Sequence, residues 1–253
     1  MSDVTLYHGG CLEIMLTLPD KSIDMILADL PYQMTQLKWD TIIPFEGLWR
    51  EYKRVIKDNG AIVLFASQPF TSALVMSNPD DFRYELIWDK GRGSNPLLAK
   101  KMPMRGHENM LVFYKHLPTY NPQFEEGRPY KAPRTGGRNS RNTIIGNAKD
   151  NKDFRQEDNN GYRYPLSIIK ASIHNGSKLH PTQKPVELME YLIRTYTSES
   201  ETVLDNVMGS GTTGVACIKT NRNFIGIEKA ESYFKIAQQR IAEAQAQPAL
   251  LNV

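Results

Sequence analysis

Four consecutive residues near the start of the chain, Asp29-Leu30-Pro31-Tyr32, can together hold a flat ring that carries an amino group. A carboxylate and a backbone carbonyl can accept the two N–H bonds of such an amine, and an aromatic side chain can stack on the ring. We therefore predict that Asp29 and the Leu30 carbonyl orient the amine, while Pro31 stiffens the turn and Tyr32 stacks. An ordinary turn at a strand end would use the same residue types.

A glycine-containing segment, Met208-Gly-Ser-Gly-Thr-Thr213, follows Asp205 in the second half of the chain. Glycines let the backbone approach a ligand closely, and the helix predicted to follow offers unpaired N–H groups. Glu228 ends the next predicted strand, 17 residues after Gly211, where it can accept both hydroxyls of a ribose. The spacing fits neither a dinucleotide loop nor a P-loop, which favours a nucleoside ligand without phosphate, such as S-adenosylmethionine. A Gly-Ser-Gly corner alone is common in α/β proteins.

Both segments end short apolar runs, so we predict that each lies at the carboxyl end of a strand. Residues 3–114 alternate predicted strands and helices, and the alternation returns from Pro185 to residue 244. The predicted strands include Val4–His8, Ile23–Ala28, 61–66 and Thr202–Asp205, and the predicted helices include 45–57, 186–197 and 212–220. This alternation is typical of an α/β sheet.

The middle of the chain is basic. Residues 90–178 hold 17 Lys and Arg against 7 Asp and Glu, whereas the remaining residues hold 14 against 21. Residues 117–179 show no regular apolar period and are predicted to be largely irregular. This charge distribution favours contact with nucleic-acid phosphates, although a solvated loop rich in Lys and Arg would look the same. Arg134, Arg138 and Arg141 are candidates for contacts to phosphate or guanine.

Several classes of protein are disfavoured. The longest apolar runs are far shorter than the roughly 20 residues that span a bilayer, so we expect no membrane role. No basic-then-apolar leader is evident at the N-terminus, and we expect a cytoplasmic protein. The 2 cysteines and 5 histidines are scattered without metal-ligand spacing, so neither a disulfide nor a metal site is expected.

Together these motifs resemble those of the DNA amino-methyltransferases, which modify adenine N6 or cytosine N4. Asp29-Leu-Pro-Tyr32 resembles their D-P-P-Y catalytic motif with Leu30 in place of a proline, and residues 204–213 resemble their cofactor loop. His180-Pro-Thr-Gln-Lys-Pro185 resembles the segment that opens the cofactor pocket, and Phe-Ile-Gly-Ile-Glu228 the ribose-binding strand. The order of catalytic motif, recognition region and cofactor motif is that of the beta subgroup. Asn206-Val207 replaces the usual Pro-Phe, and Gly10 replaces a common acid.

The resemblance implies an α/β, Rossmann-like fold of the class I methyltransferases, with a seven-stranded, mostly parallel sheet. It implies circular permutation and an inserted basic target-recognition region. One domain, residues 1–253, would comprise a catalytic half at 3–114, the insertion at about 92–178 and a cofactor-binding half at 180–244. The implied cofactor is S-adenosylmethionine, and the implied partner is double-stranded DNA, as in restriction–modification enzymes. A homodimer is compatible with the same resemblance.

The resemblance also assigns the site. The catalytic residues would be Asp29, Leu30, Pro31 and Tyr32. The cofactor would contact Asp29, Thr182, Lys184, Asp205, Gly209, Ser210, Gly211, Thr212, Thr213 and Glu228, with Lys184 and Thr182 at its methionine carboxylate. An aspartate at the first motif position favours adenine N6 over cytosine N4, and the base would have to leave the duplex. The alternatives are cytosine N4 methylation, more distantly RNA or protein-glutamine methylation, and a DNA-binding protein that has lost catalysis.

Overall fold

A computed structural model of the 253-residue chain describes residues 2–32, 42–131, 160–171 and 183–247. It contains two compact units. The larger comprises Met1–Asn121 and Leu166–Val253, and the smaller comprises Pro122–Pro165. The predicted DNA contacts Arg134, Arg138 and Arg141 and the predicted cofactor contact Thr182 lie outside the described residues.

The described strands and helices follow one another along the chain. The strands are β1 Val4–His8, β2 Ile23–Ala28, β3 Ile56–Ala66, β4 Phe82–Ser94, β5 Arg105–Phe113, β6 Glu125–Glu126, β7 Tyr162–Arg163, β8 Ile168–Lys170, β9 Thr202–Asp205 and β10 Asn223–Glu228. The helices are α1 Cys11–Met15, α2 Phe45–Val55, α3 Phe70–Ser77, α4 Val186–Tyr196, α5 Thr212–Lys219 and α6 Glu231–Ala246, and Pro96–Leu98 forms a 3-10 turn.

The larger unit is built on one sheet of strand order β1-β10-β9-β2-β3-β5-β4-β8. β5 runs antiparallel to β3 and β4, and the other pairings are parallel. Seven of these strands form the predicted sheet. β8 adds an eighth strand at the edge, where Ile168 pairs with Ile87.

Helices cover both faces of this sheet, because the buried strands are apolar on both sides. In β2, Met25 and Leu27 belong to the core that also contains apolar residues of α4, α5 and α6. Ile26 and Ala28, which alternate with them, belong to the core that contains residues of α1, α2 and α3. Such two-sided burial is the reason that β2 reads as a continuous apolar run.

The smaller unit contains the antiparallel pair β6–β7, in which Glu125 is opposite Arg163. The Phe124 ring packs against the rings of Tyr162 and Tyr164, at centroid distances of 6.5 and 4.9 Å. No described helix is long and apolar enough to cross a membrane.

Candidate active site

The carboxyl ends of adjacent parallel strands bring the two predicted motifs together. In β2 and β9, Ile26 lies beside Leu204, so Asp29 and the residues after Asp205 emerge at the same edge of the sheet. Glu228 ends β10, on the other side of β9. Ligands of open α/β sheets bind in crevices at this edge, where the loops that follow the strands diverge.

A cavity of about 1280 Å³ opens at this edge. The predicted site residues that line it are Asp29, Leu30, Pro31, Tyr32, Lys184, Asp205, Gly209, Ser210, Thr212, Thr213 and Glu228. The two motifs, nearly 180 residues apart in the chain, therefore contribute to the walls of one cavity.

The Asp29 carboxylate is held at both oxygens. The Tyr32 hydroxyl donates to Oδ1 at 2.5 Å, and the Lys184 Nζ lies 2.7 Å from Oδ2. The Leu30 side chain is buried and anchors the turn in the core shared with α1, α2 and α3. The Tyr32 ring packs at a tilt against Phe70, with 5.0 Å between the centroids. These contacts fix the carboxylate on the cavity wall.

Lys184 is buried and lies at the centre of a network of partly buried charges. Its Nζ lies 2.9 Å from Glu108 Oε2, and the Lys90 Nζ lies 2.5 Å from Glu108 Oε1. Burial opposes the charged form of Lys184, but Asp29 and Glu108 outweigh it and raise the Lys184 pKa. Burial likewise opposes ionisation of Glu108, but Lys184 and Lys90 hold the Glu108 pKa below its usual value. The charged forms of Lys184 and Glu108 are therefore both favoured.

The Glu228 side chain fixes the loop that follows β9 through a backbone hydrogen bond. Its Oε2 accepts the Gly209 N–H at 2.9 Å, and its Oε1 accepts the Ala230 N–H at 2.7 Å. Gly209 has a φ of 52°, in the left-handed region that favours glycine. The carboxylate and the glycine turn thus hold each other in place beside the cavity.

Asp205 is buried and stabilises the same loop by accepting two hydrogen bonds. The Thr213 hydroxyl donates to Oδ2 at 2.5 Å, and the Val207 N–H donates to Oδ1 at 3.1 Å. Burial raises the pKa of Asp205 to about 7, against the opposing effect of these two hydrogen bonds. The Asp205 carboxyl group therefore titrates near neutral pH.

Arg240 of α6 anchors the start of α5. Its Nη1 donates to the Ser210 carbonyl at 2.5 Å and lies 3.0 Å from the Ser210 hydroxyl and 3.3 Å from that of Thr212. Gly211, predicted as a cofactor contact, is absent from the cavity wall. It has a φ of 78°, and a side chain there would meet Ala237 at 2.9 Å. Gly211 therefore permits close packing of α5 against α6.

Several residues that line the cavity were missed by the sequence reasoning. Lys90 and Glu108 are brought together by the antiparallel pairing of β4 with β5, in which Trp88 is opposite Glu108. Glu108 stands two residues before the apolar run of residues 110–113, and that position alone does not indicate a site. Ser67, Arg92, Arg105, Cys11 and Asn206 also line the cavity. Among the described residues, no group of three or more His, Cys, Asp or Glu side chains could hold a metal ion.

Comparisons with known proteins match most of the chain. The family model N6_N4_Mtase, described as DNA methylase, matches residues 23–239. The type II methyltransferase M.HinfI of Haemophilus influenzae is 28% identical over 96% of this chain and 70% of its own length. The putative methylase YubD of Escherichia coli K12 is 30% identical, over 94% of this chain and 90% of its own length.

A crystal structure of an M1.HpyAVI–SAM complex superimposes with a TM-score of 0.62 at 26% identity, covering 94% of this chain and 98% of that one. This likeness confirms the predicted α/β fold with a mostly parallel sheet. The family model covers both predicted motifs and most of the described cavity wall. The chain therefore belongs to the N6_N4_Mtase family of DNA methylases.

Proposed function

We propose that this protein transfers a methyl group from S-adenosylmethionine to the N6 amine of an adenine that has left double-stranded DNA. The observation that carries the proposal is the position of the Asp29 carboxylate, on the wall of the same cavity as Glu228 and Gly209. One side of that cavity has the acceptor that an exocyclic amine needs. The other has a glycine turn and a carboxylate suited to a nucleoside.

The described residues fit this cofactor. A typical ligand pocket measures about 300–1000 Å³, so a cavity of about 1280 Å³ has room for a cofactor beside a base. Each oxygen of Glu228 accepts one backbone N–H and has a second lone pair for a ribose hydroxyl. Lys184 directs its ammonium at two carboxylates and has a third N–H for the cofactor's own carboxylate. S-adenosylmethionine supplies a methyl group activated by its sulfonium.

The role of Asp29 follows from the charge that develops on the amine. The lone pair of an exocyclic amine is delocalised into the ring, and the nitrogen gains positive charge as it forms a new bond. A hydrogen bond from this amine to a carboxylate strengthens at that moment, so it stabilises the transition state more than the bound substrate. Asp29 Oδ1 and Oδ2 each accept one internal hydrogen bond or ion pair, and each retains a lone pair for the amine.

The neighbouring residues complete the base site in this proposal. The Leu30 carbonyl accepts the second amine hydrogen, and Tyr32 stacks on the base. The contact between Tyr32 and Phe70 supports this role, because it braces the ring that would face the base. A base can enter such a pocket only after leaving the helix, which the proposal therefore requires.

Adenine is favoured over cytosine by the aspartate at the first position of the motif, since cytosine N4 enzymes more often carry serine there. Cytosine N4 methylation is the close alternative, because the same acceptors would serve its amine. The predicted DNA contacts Arg134, Arg138 and Arg141, the cofactor contact Thr182, the homodimer and the cytoplasmic location stay predictions.

The test is to incubate the purified protein with unmethylated plasmid DNA and S-adenosylmethionine carrying a labelled methyl group. The DNA is then digested to nucleosides, and the labelled nucleoside is identified by mass spectrometry. Labelled N6-methyladenine is the expected product. N4-methylcytosine would overturn the base assignment and keep the chemistry, whereas unlabelled DNA despite DNA binding would contradict the proposed activity.

A further inference from the structure

The connection between β4 and β5, residues 95–104, contains the 3-10 turn Pro96–Leu98, and we term it the hairpin tip. Backbone hydrogen bonds fix its turn: Leu98 N–H donates to the Asn95 carbonyl at 3.1 Å, and Lys101 N–H donates to the Leu98 carbonyl at 2.8 Å. At its base, the Ser94 hydroxyl donates to the Arg105 carbonyl at 3.0 Å, which joins the two strands. The tip thus has a defined backbone conformation.

Large apolar side chains on this tip are exposed in whole or in part. Leu97 is 96% exposed, Met102 is 54% exposed and Met104 is 48% exposed. Three such side chains within eight residues exceed the scattered single apolar residues that are the norm on a protein surface, and concentrations of this kind mark interaction sites.

The charge around the tip identifies the kind of partner. From residue 90 to residue 107 the chain carries five Lys or Arg residues and no Asp or Glu. Two of them, Lys100 and Lys101, lie within the tip, and Arg92 and Arg105 lie on the strands that support it. This combination is complementary to a polyanion. A symmetric contact with the tip of a second copy would instead place like charges together.

The tip also continues directly from the proposed base site. Arg92, Asn95 and Arg105 line the cavity that contains Asp29. Leu97 follows Asn95 by two residues, so the two Cα atoms lie within about 7 Å of each other. An exposed leucine thus lies two residues from a residue of the cavity wall.

We propose that Leu97 enters the DNA base stack and occupies the space left by the target base, while Lys100 and Lys101 contact the flanking phosphates. This proposal rests on the proposed function. Apolar wedges flanked by cations are a general means of opening a base step, because the side chain replaces part of the lost stacking. Filling the gap lowers the cost of moving the base into the cavity and slows its return.

The test compares Leu97→Ala with Leu117→Ala, a leucine that is 76% exposed and lies outside both the tip and the cavity wall. Methylated sites are first mapped with the wild-type protein. Single-turnover methylation is then measured on two duplexes with one mapped site, in which the target base is either paired or opposite an abasic position. A base without a partner costs less to extrude, so the second duplex needs the wedge less.

The expected result is that Leu97→Ala slows methylation of the paired duplex by about tenfold or more and recovers to near the wild-type rate on the unpaired duplex. Leu117→Ala should match the wild type on both. Wild-type rates for Leu97→Ala on the paired duplex would overturn the proposal. An equal loss on both duplexes would also overturn it, as would a lower molecular mass of this variant by light scattering, since the tip would then join two copies. A wild-type protein that methylates no DNA would overturn the proposed function as well.

Discussion

The Lys184 ammonium lies 2.7 Å from Asp29 Oδ2, and so a buried cation holds the carboxylate proposed to orient the amine. Lys184 also lies 4.9 Å from the centre of the Phe65 ring and 2.9 Å from Glu108 Oε2. One residue from the segment before α4 thus contacts an acidic group that directly follows β2 and another that lies within β5. The active-site geometry proposed here depends on that buried charge.

Replacing this charge should destabilise the fold. Lys184→Met removes the cation and leaves the Asp29 and Glu108 carboxylates without their shared partner. Breaking a buried ion pair from one side costs about 3 kcal/mol or more, and we expect that loss in the free energy of unfolding. Urea denaturation measures it.

The matched control is Lys53→Met, the same chemical change at an ion pair with Asp81 in which the Lys53 side chain is 53% exposed. Exposed pairs contribute little, so its free energy of unfolding should change by less than about 1 kcal/mol. Equal losses in the two variants would contradict a special role for Lys184.

A change at Glu228 should weaken cofactor binding. The Glu228 carboxylate accepts the backbone N–H groups of Gly209 and Ala230. Glu228→Gln removes the negative charge and places a side-chain amide N–H against one of these two backbone donors. Because charge-assisted hydrogen bonds to ribose hydroxyls would be lost, we expect the Kd for S-adenosylmethionine to rise by about tenfold or more. Isothermal titration calorimetry measures this change.

Glu231→Gln provides the comparison three residues later. Its side chain is 66% exposed and pairs with Lys235, so cofactor affinity should stay at the wild-type value. A Glu228→Gln protein that binds the cofactor as tightly as this control would exclude Glu228 from the ribose site.

Asp205 should make stability depend on pH. Its pKa of about 7 in the fold exceeds the ordinary value of about 3.9, so the folded protein keeps a proton that the unfolded chain releases. The contribution of Asp205 is therefore most favourable below about pH 4 and is lost as the pH rises through 7. Asp205→Asn lacks this titration.

Urea denaturation of both proteins at pH 5 and pH 8 isolates the effect. Relative to Asp205→Asn, the wild type should lose about 1–3 kcal/mol in its free energy of unfolding between the two pH values. Parallel changes in the two proteins would show that Asp205 does not titrate in this range.

Much of the fold could be predicted because its central strands are buried on both faces. The ranges predicted for β1, β2 and β9 match the structure. The helix over residues 45–57 was predicted to end shortly before Asn59-Gly60, a pair of residues typical of helix ends, but α2 ends at Val55. Ile56 instead begins β3, where it pairs with Ile23. Pairing with a distant strand thus outweighed the local signal.

The irregular middle of the chain was harder to predict. Residues 117–179 were predicted to be largely irregular, and the short strand Ile168–Lys170 beside β4 was not predicted. Three residues are too few to show a period in the sequence, and the strand is defined by its pairing with β4, in which Ile168 lies beside Ile87. Short strands of this kind depend on tertiary contacts that the local sequence does not specify.

The candidate site was also predictable only in part. The positions of Asp29 and Glu228 at the ligand-binding edge of the sheet could be predicted, because Asp29 directly follows an apolar strand and Glu228 ends one. Glu108 could not, since its function depends on pairing with β4 and on the burial of Lys184, a residue 76 positions away. Contacts between residues that are far apart in the chain leave no characteristic spacing in the sequence.

The central claim is that the Asp29 carboxylate drives methyl transfer. Asp29→Asn keeps an acceptor oxygen but loses the negative charge, so the single-turnover rate on DNA should fall by about a hundredfold or more. DNA affinity, measured on the same preparation, should stay unchanged. Methyl transfer by Asp29→Asn at close to the wild-type rate would contradict the account and place the chemistry elsewhere in the cavity.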